Sequence, residues 1–170
     1  MAVQEGVNSF ISLADAETYF ASRIDSTNWS EASESDKDSA LITAASQLNL
    51  ESYVGIISAD IQTMAFPRDG EYFEPFFGKT IDLPTDIPKR MKDANCEMAL
   101  HLLDNDGVLA QSGGLEEIKV SSITLKGLDN IAPSSISDID SVYSIIYPLT
   151  ATGAENNSVT TAGNAWWRNN

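Results

Sequence analysis

One stretch near the middle of the chain constrains the fold more than any other. Pro88 sits at a first helical position, where its missing N–H is one of the donors that a helix start leaves unpaired anyway. Around it Ile87, Met91, Ala94, Met98 and Leu102 recur at spacings of 4, 3, 4 and 4, which is one face of a helix. Gly107 stops the run. It is the clearest helical segment of the chain.

Three further segments have the same period. From about Ser12 to Ile24, Leu13, Ala16, Phe20 and Ile24 form a face, with Ser12 as N-cap. A polar stretch, Ser26 to Ser35, is interrupted by Trp29. From about Glu34 to Leu50, Leu41, Ala45 and Leu48 make the stripe, and Glu34 and Asp36 suit the positive end of the helix dipole. A short helix from about Ile139 to Tyr147 has Asp138 as N-cap and is closed by Pro148. Glu116 to Lys126 alternates as a strand whose parity changes at Ser121-Ser122, which reads as a bulge. The expectation is a mainly α protein: a small bundle of three to four helices, a short β element and an extended C-terminal arm. The helical domain spans 1–149 and the arm 150–170.

Between the second and third long helices lies a loop over 54–86 with Pro67, Pro75 and Pro84 and five aromatics: Phe66, Tyr72, Phe73, Phe76 and Phe77. Loops of that length in a compact domain are usually functional, and five rings argue that this one packs on something.

Charge narrows the function classes. Ten Lys+Arg against 25 Asp+Glu give a net charge of −15. Phosphate attraction comes from Lys and Arg, so general affinity for nucleic acid is disfavoured, as is an anionic membrane surface. One Cys and one His allow neither an internal disulfide nor a Cys/His zinc site. No secretory signal or membrane span is read, and the expectation is a soluble chain made in a cytoplasm.

Several near-motifs fall short. Gly78-Lys79-Thr80 resembles the end of a phosphate loop, but Phe73 stands where the first Gly belongs. Asp104-Asn105-Asp106-Gly107 would put Leu102 and Gly113 at the first and last ligand positions of a calcium loop, so it reads as a helix stop. Cys96 and His101 share a helix about 140° apart and do not face each other. With 25 acids some close carboxylate pair is inevitable and uninformative; a carboxylate hydrolase stays a third reading. No catalytic residue, metal ligand or cofactor is assigned.

Two clusters stand out as protein-contact candidates beside Phe73, Phe76 and Phe77. Lys89, Arg90 and Lys92 crowd a helix N-terminus, where cations oppose the dipole. They either pair with Asp86 and Asp93 or meet an acidic neighbour. Trp166, Trp167 and Arg168 end a polar segment and are of the types enriched at interface hot spots. They either fold back onto their own core or, as the sharper reading, dock onto another subunit.

In order, these pieces resemble the head–tail adaptor (connector) proteins of tailed bacteriophages, and more narrowly the phage branch labelled DnaT-like. The resemblance rests on Phe10-Ile11-Ser12-Leu13-Ala14-Asp15-Ala16-Glu17-Thr18-Tyr19-Phe20, on Trp29, and on Ser35-Asp36-Lys37-Asp38-Ser39-Ala40-Leu41. It continues through Ala65-Phe66-Pro67-Arg68, with Phe66 for the family's Trp, and through Ile87-Pro88 to Leu100. It implies a structural virion protein, assembled in the bacterial host cytoplasm and not an enzyme. Its subunits would form a homo-oligomeric ring, usually of twelve, between the portal protein and a tail or nozzle protein. DNA would pass through that ring without specific binding, and no membrane is involved. The alternative implied by the DnaT label is a phage single-stranded-DNA-binding replication accessory protein.

Overall fold

A computed structural model describes residues 2–105, 117–120, 123–126 and 136–153. Its centre is α4 (Lys89–Asp104), which Pro88 caps from just outside. Met91, Ala94, Met98 and Leu102 are buried as the period requires, but so are Asn95, Cys96, Glu97, Ala99 and Leu100. A helix covered nearly all round is one that others pack around.

The long partner of α4 is α3 (Glu34–Leu48), which turns Ala40, Leu41, Ala44, Ala45 and Leu48 inward. Its small alanines let the two backbones approach closely. Ser33 caps it by accepting from Asp36 N at 3.2 Å. Ser12 does the same for α1 (Leu13–Ala21) through Asp15 N at 3.1 Å. That helix stops at Ala21, short of Ile24, which is fully exposed instead of part of the face. The polar stretch holds a five-residue helix, α2 (Thr27–Glu31), whose Trp29 is buried and stacks on Phe20 at 4.3 Å between centroids. On the far side of α4 lies α5 (Asp140–Ile146), flanked by 3-10 turns at Ile136–Asp138 and Tyr147–Leu149. Its cap residue is Ile139, not Asp138.

Residues 54–86 are not one irregular loop. They form two antiparallel ribbons, β1 (Ile56–Ile57) with β2 (Arg68–Asp69) and β3 (Glu71–Glu74) with β4 (Lys79–Asp82). Short strands with breakers on both sides leave too little alternation to read from sequence. The ribbons touch at two glycines. Gly55 has φ +73°, and a Cβ there would lie 2.3 Å from Asp69 O; Gly70 has φ +139°. Arg68 knits the segment together by donating from Nε to Val54 O at 2.7 Å and from Nη2 to Gly55 O at 2.6 Å. Phe66 packs between Phe10 and Tyr53 at centroid distances of 6.5 and 4.9 Å. The Phe66-Pro67-Arg68 element of the resemblance is thus structural.

A third ribbon pairs β5 (Glu117–Val120) with β6 (Ile123–Lys126), Val120 opposite Ile123. The single bulged strand expected over 116–126 is instead two strands paired antiparallel with each other.

The start of the expected arm belongs to the domain. Tyr53 bridges Thr150 in antiparallel sense, with Val54 N donating to Leu149 O at 3.0 Å and Ala151 N to Ser52 O at 2.9 Å. Thr150 and Gly153 are buried. Among the described residues no helix is long and apolar enough to cross a membrane.

Candidate functional site

The basic turn of α4 is where the chemistry concentrates. Arg90 donates from Nε to Glu74 Oε2 at 2.8 Å, makes a second, shorter bond to Oε1, and reaches Ile145 O through Nη1 at 3.2 Å. Glu74 also accepts from the Tyr72 hydroxyl at 3.0 Å and from Phe76 N at 3.1 Å. Glu74 is 6% exposed, and the Arg90 guanidinium beside it holds its carboxyl down to about 2 against the opposing effect of burial. One bidentate pair therefore ties the β3–β4 ribbon to α4 and α5.

The other two cations turn elsewhere. Lys89 pairs with Asp93 one turn on, at 2.7 Å, and its side chain is 81% exposed. Lys92 pairs with Glu5 of the N-terminal segment at 2.6 Å. Each of the three that crowd the helix start has a carboxylate partner within the chain, which offsets the unfavourable dipole. Asp86, an expected partner, makes none of these pairs.

The ribbon tip projects past this pair. Phe77 N and Gly78 N donate to Glu74 O at 3.2 and 2.9 Å, and Gly78 adopts φ +63°. The turn leaves Phe76 85% and Phe77 61% exposed, their rings edge to face at 5.1 Å. Lys79 Nζ lies 6.0 Å from the Phe77 ring centroid. The five aromatics of the segment divide accordingly. Phe66 and Tyr72 are core, Phe73 is half-buried opposite Thr80, and Phe76 and Phe77 face outward. Between the tip and the start of α4 lies a groove of about 450 Å³ whose walls include Phe76, Phe77, Pro84, Pro88, Lys89 and Ile145. Residues chosen from two separated segments of sequence thus meet at one place. Phe73 and Lys92 do not line it, and Trp166, Trp167 and Arg168 lie outside the described residues.

Three features escaped sequence reading. Glu74 was one acid among many. Asn95, fully buried, donates to Leu41 O at 3.0 Å and accepts from Phe10 N at 2.9 Å, joining three segments. Its one signal was a polar residue beside an apolar stripe. Buried Glu97 accepts from the Tyr19 hydroxyl and from Arg23, whose other nitrogens hold Asp25 at 3.0 Å; burial pushes the Tyr19 phenol up. Cys96 is buried with its thiol pushed up by desolvation, and burial pushes His101 down. Gly78, Lys79 and Thr80 form a ribbon turn leading into a strand, which is not the strand-to-helix setting of a phosphate loop. Among the described residues no cluster of His, Cys, Asp or Glu could hold a metal ion.

A helical core that carries small ribbons, one with an apolar tip beside a groove, defines a small mainly α domain with a built surface feature. A family model described as "Putative DnaT-like ssDNA binding protein" matches residues 2–163, nearly the whole chain. The chain belongs to that family. No curated protein and no solved structure matches it. The DnaT-like part of the resemblance is therefore the part that the family match bears out, while the head–tail adaptor part gains nothing from it.

Proposed function

We propose that the chain is a protein-docking structural subunit of a phage particle, part of a ring that joins the portal to the tail, with no catalytic activity. The observation that carries this is how charge and apolar surface are distributed. Arg23, Lys37, Lys89, Arg90 and Lys92 are all paired with carboxylates, and Arg68 with carbonyls, within the chain. Among the described residues, five of the eight exposed large apolar side chains lie in 54–86, Ile56, Ile57 and Ile61 around the first ribbon and Phe76 and Phe77 at the tip of the second, while Val7, Ile24 and Leu50 lie elsewhere. Surfaces of that composition suit protein contacts, where aromatics are enriched and charges depleted at the centre. A net charge of −15 also suits a passage that DNA must traverse without sticking.

The family's description favours the alternative reading, single-stranded-DNA binding, over this one. Phe76 and Phe77 would then be a stacking platform and Lys79 its phosphate contact. The two readings differ in salt dependence. Among the lysines and arginines whose side chains are described, Lys79 alone has no carboxylate or carbonyl partner, and one phosphate contact gives a slope of log K against log salt of about −0.7. A groove-type binder with five contacts would give about −3.5. Titration of labelled single-stranded oligonucleotide across a salt series, with mass measurement of the chain alone and with portal protein, tests both. Ring formation without measurable DNA binding supports the structural reading. DNA binding at either slope with no assembly overturns it.

A further inference from the structure

We propose that the protein binds a second copy of itself head to tail: the ribbon tip and groove of one copy, with Phe76, Phe77, Lys79 and Lys89, receive the first ribbon of the next, with Ile56, Ile61 and their flanking aspartates. This rests on the docking reading and names the two surfaces that such a contact would use.

The first ribbon projects from the domain. Ile56 and Ile57 are consecutive in β1 and point to opposite faces, yet they are 71% and 45% exposed. Neither face of the strand is therefore packed on the core. Ile61, in the loop between β1 and β2, is 92% exposed. Asp69 stands directly opposite Ile56, and Asp60 adjoins Ile61; both are exposed. Asp69 accepts from Ser58 Oγ at 3.2 Å, and among the described residues neither carboxylate is paired with a Lys or Arg.

The ribbon tip has the opposite balance. Glu74 and Asp93, the carboxylates of the groove, are already matched by Arg90 and Lys89. Lys79, exposed and 6.0 Å from the Phe77 ring centroid, therefore leaves the tip with a surplus positive charge in a chain of −15. The two patches lie at opposite ends of the run Arg68–Glu74, since β1 pairs with its first two residues and the tip follows its last. That run spans at most about 23 Å, enough for each end to meet a different neighbour.

Charge selects the pairing. Tip against tip would oppose Lys79 and Lys89 to their own copies, and first ribbon against first ribbon would oppose Asp60 and Asp69 to theirs. Interfaces avoid such like-charge contacts. Tip against first ribbon instead sets two lysines against two aspartates around an apolar centre, which is the anatomy of a protein interface. The tip rings, 85% and 61% exposed, bring on the order of 300 Å² of apolar surface to that centre. The groove of about 450 Å³ beside them has room for isoleucine side chains. A contact between unlike patches is heterologous, so it repeats from copy to copy and closes into a ring where the rotation allows.

Sedimentation of the full chain across a concentration series, alone and with portal protein, tests this, with variants measured in the condition where the wild type assembles. Phe76→Asp/Phe77→Asp sets carboxylates on the tip against the partner's aspartates. Ile56→Lys/Ile61→Lys sets ammonium groups on the first ribbon against the partner's lysines. All four side chains are exposed, so circular dichroism and urea midpoints should match the wild type. Neither variant by itself is expected to self-associate. An equimolar mixture holds one intact tip and one intact ribbon, and should form a dimer with one copy of each and nothing larger. Lys79→Glu should raise the concentration needed for assembly by about tenfold or more. A double variant that assembles like the wild type, a mixture that stays monomeric, or unchanged assembly of Lys79→Glu overturns the proposal and leaves the docking reading standing. A wild-type chain that stays monomeric both alone and with portal protein overturns the two together.

Discussion

Glu74→Gln tests the joint that holds the ribbon to the helical core. The substitution keeps the size of a side chain that is 6% exposed but removes the charge facing Arg90 at 2.8 Å. Holding that carboxyl at about 2 instead of 4.5 corresponds to on the order of 3 kcal/mol in favour of the charged form. That figure is a ceiling, because Arg90 is 27% exposed and regains water when its partner is lost. Glutamine also still accepts one bond, so the expected loss at pH 7 is about 1–3 kcal/mol. The sign with pH follows from the depressed value. The stabilisation is complete above the unfolded-state value near 4.5 and is lost as pH falls through about 2. In urea unfolding followed by circular dichroism, the gap between wild type and Glu74→Gln should be full from pH 7 to 5 and fall by about half by pH 3. A gap under about 0.5 kcal/mol at pH 7, or one undiminished at pH 3, would refute the ion-pair reasoning.

Four further outcomes are expected. Gly55→Ala places a methyl 2.3 Å from Asp69 O on a left-handed residue and should cost on the order of 2–3 kcal/mol in chemical denaturation. Asn95→Ala strands the buried Phe10 N–H and opens a small cavity, and should lower stability by about 2–4 kcal/mol in the same assay. Cys96 should resist a thiol reagent in the native state and react on unfolding, since burial both hides the thiol and pushes its pKa up. Ending the chain after Leu149 removes the Ala151–Ser52 bond and the Thr150 bridge and should cost about 1–2 kcal/mol in thermal melts, whereas ending it after Gly153 should leave stability near that of the full chain.

Helices were legible because their signals are local. Ser12 and Ser33 lie within three residues of the amides they cap, and the stripe of α4 repeats within a single element. Periodicity ran out where a helix ended for reasons outside itself. Ile24 kept the phase of α1, yet the chain turns at Ser22 so that Arg23 can reach Asp25 and Glu97. The five residues of α2 were too few to show a period, although Trp29 marked the place.

By itself the sequence determined the helix opened by Pro88, the acidic balance, the lack of a Cys/His metal or disulfide framework, and the set of aromatics in 54–86. Only the tertiary structure decided which of those aromatics are core and which are surface, because strand side chains alternate and a one-residue shift in register moves a ring to the opposite face. It also decided what the basic turn does. Arg90 and Glu74 are 16 residues apart, and among 25 acids nothing in the order of residues says which carboxylate a guanidinium will meet. The same holds for Thr150 and Tyr53, whose bridge draws the first residues of a polar, Gly-containing tail into the domain. Caps and stripes depend on neighbours along the chain, whereas ion pairs and bridges depend on where the folded chain returns.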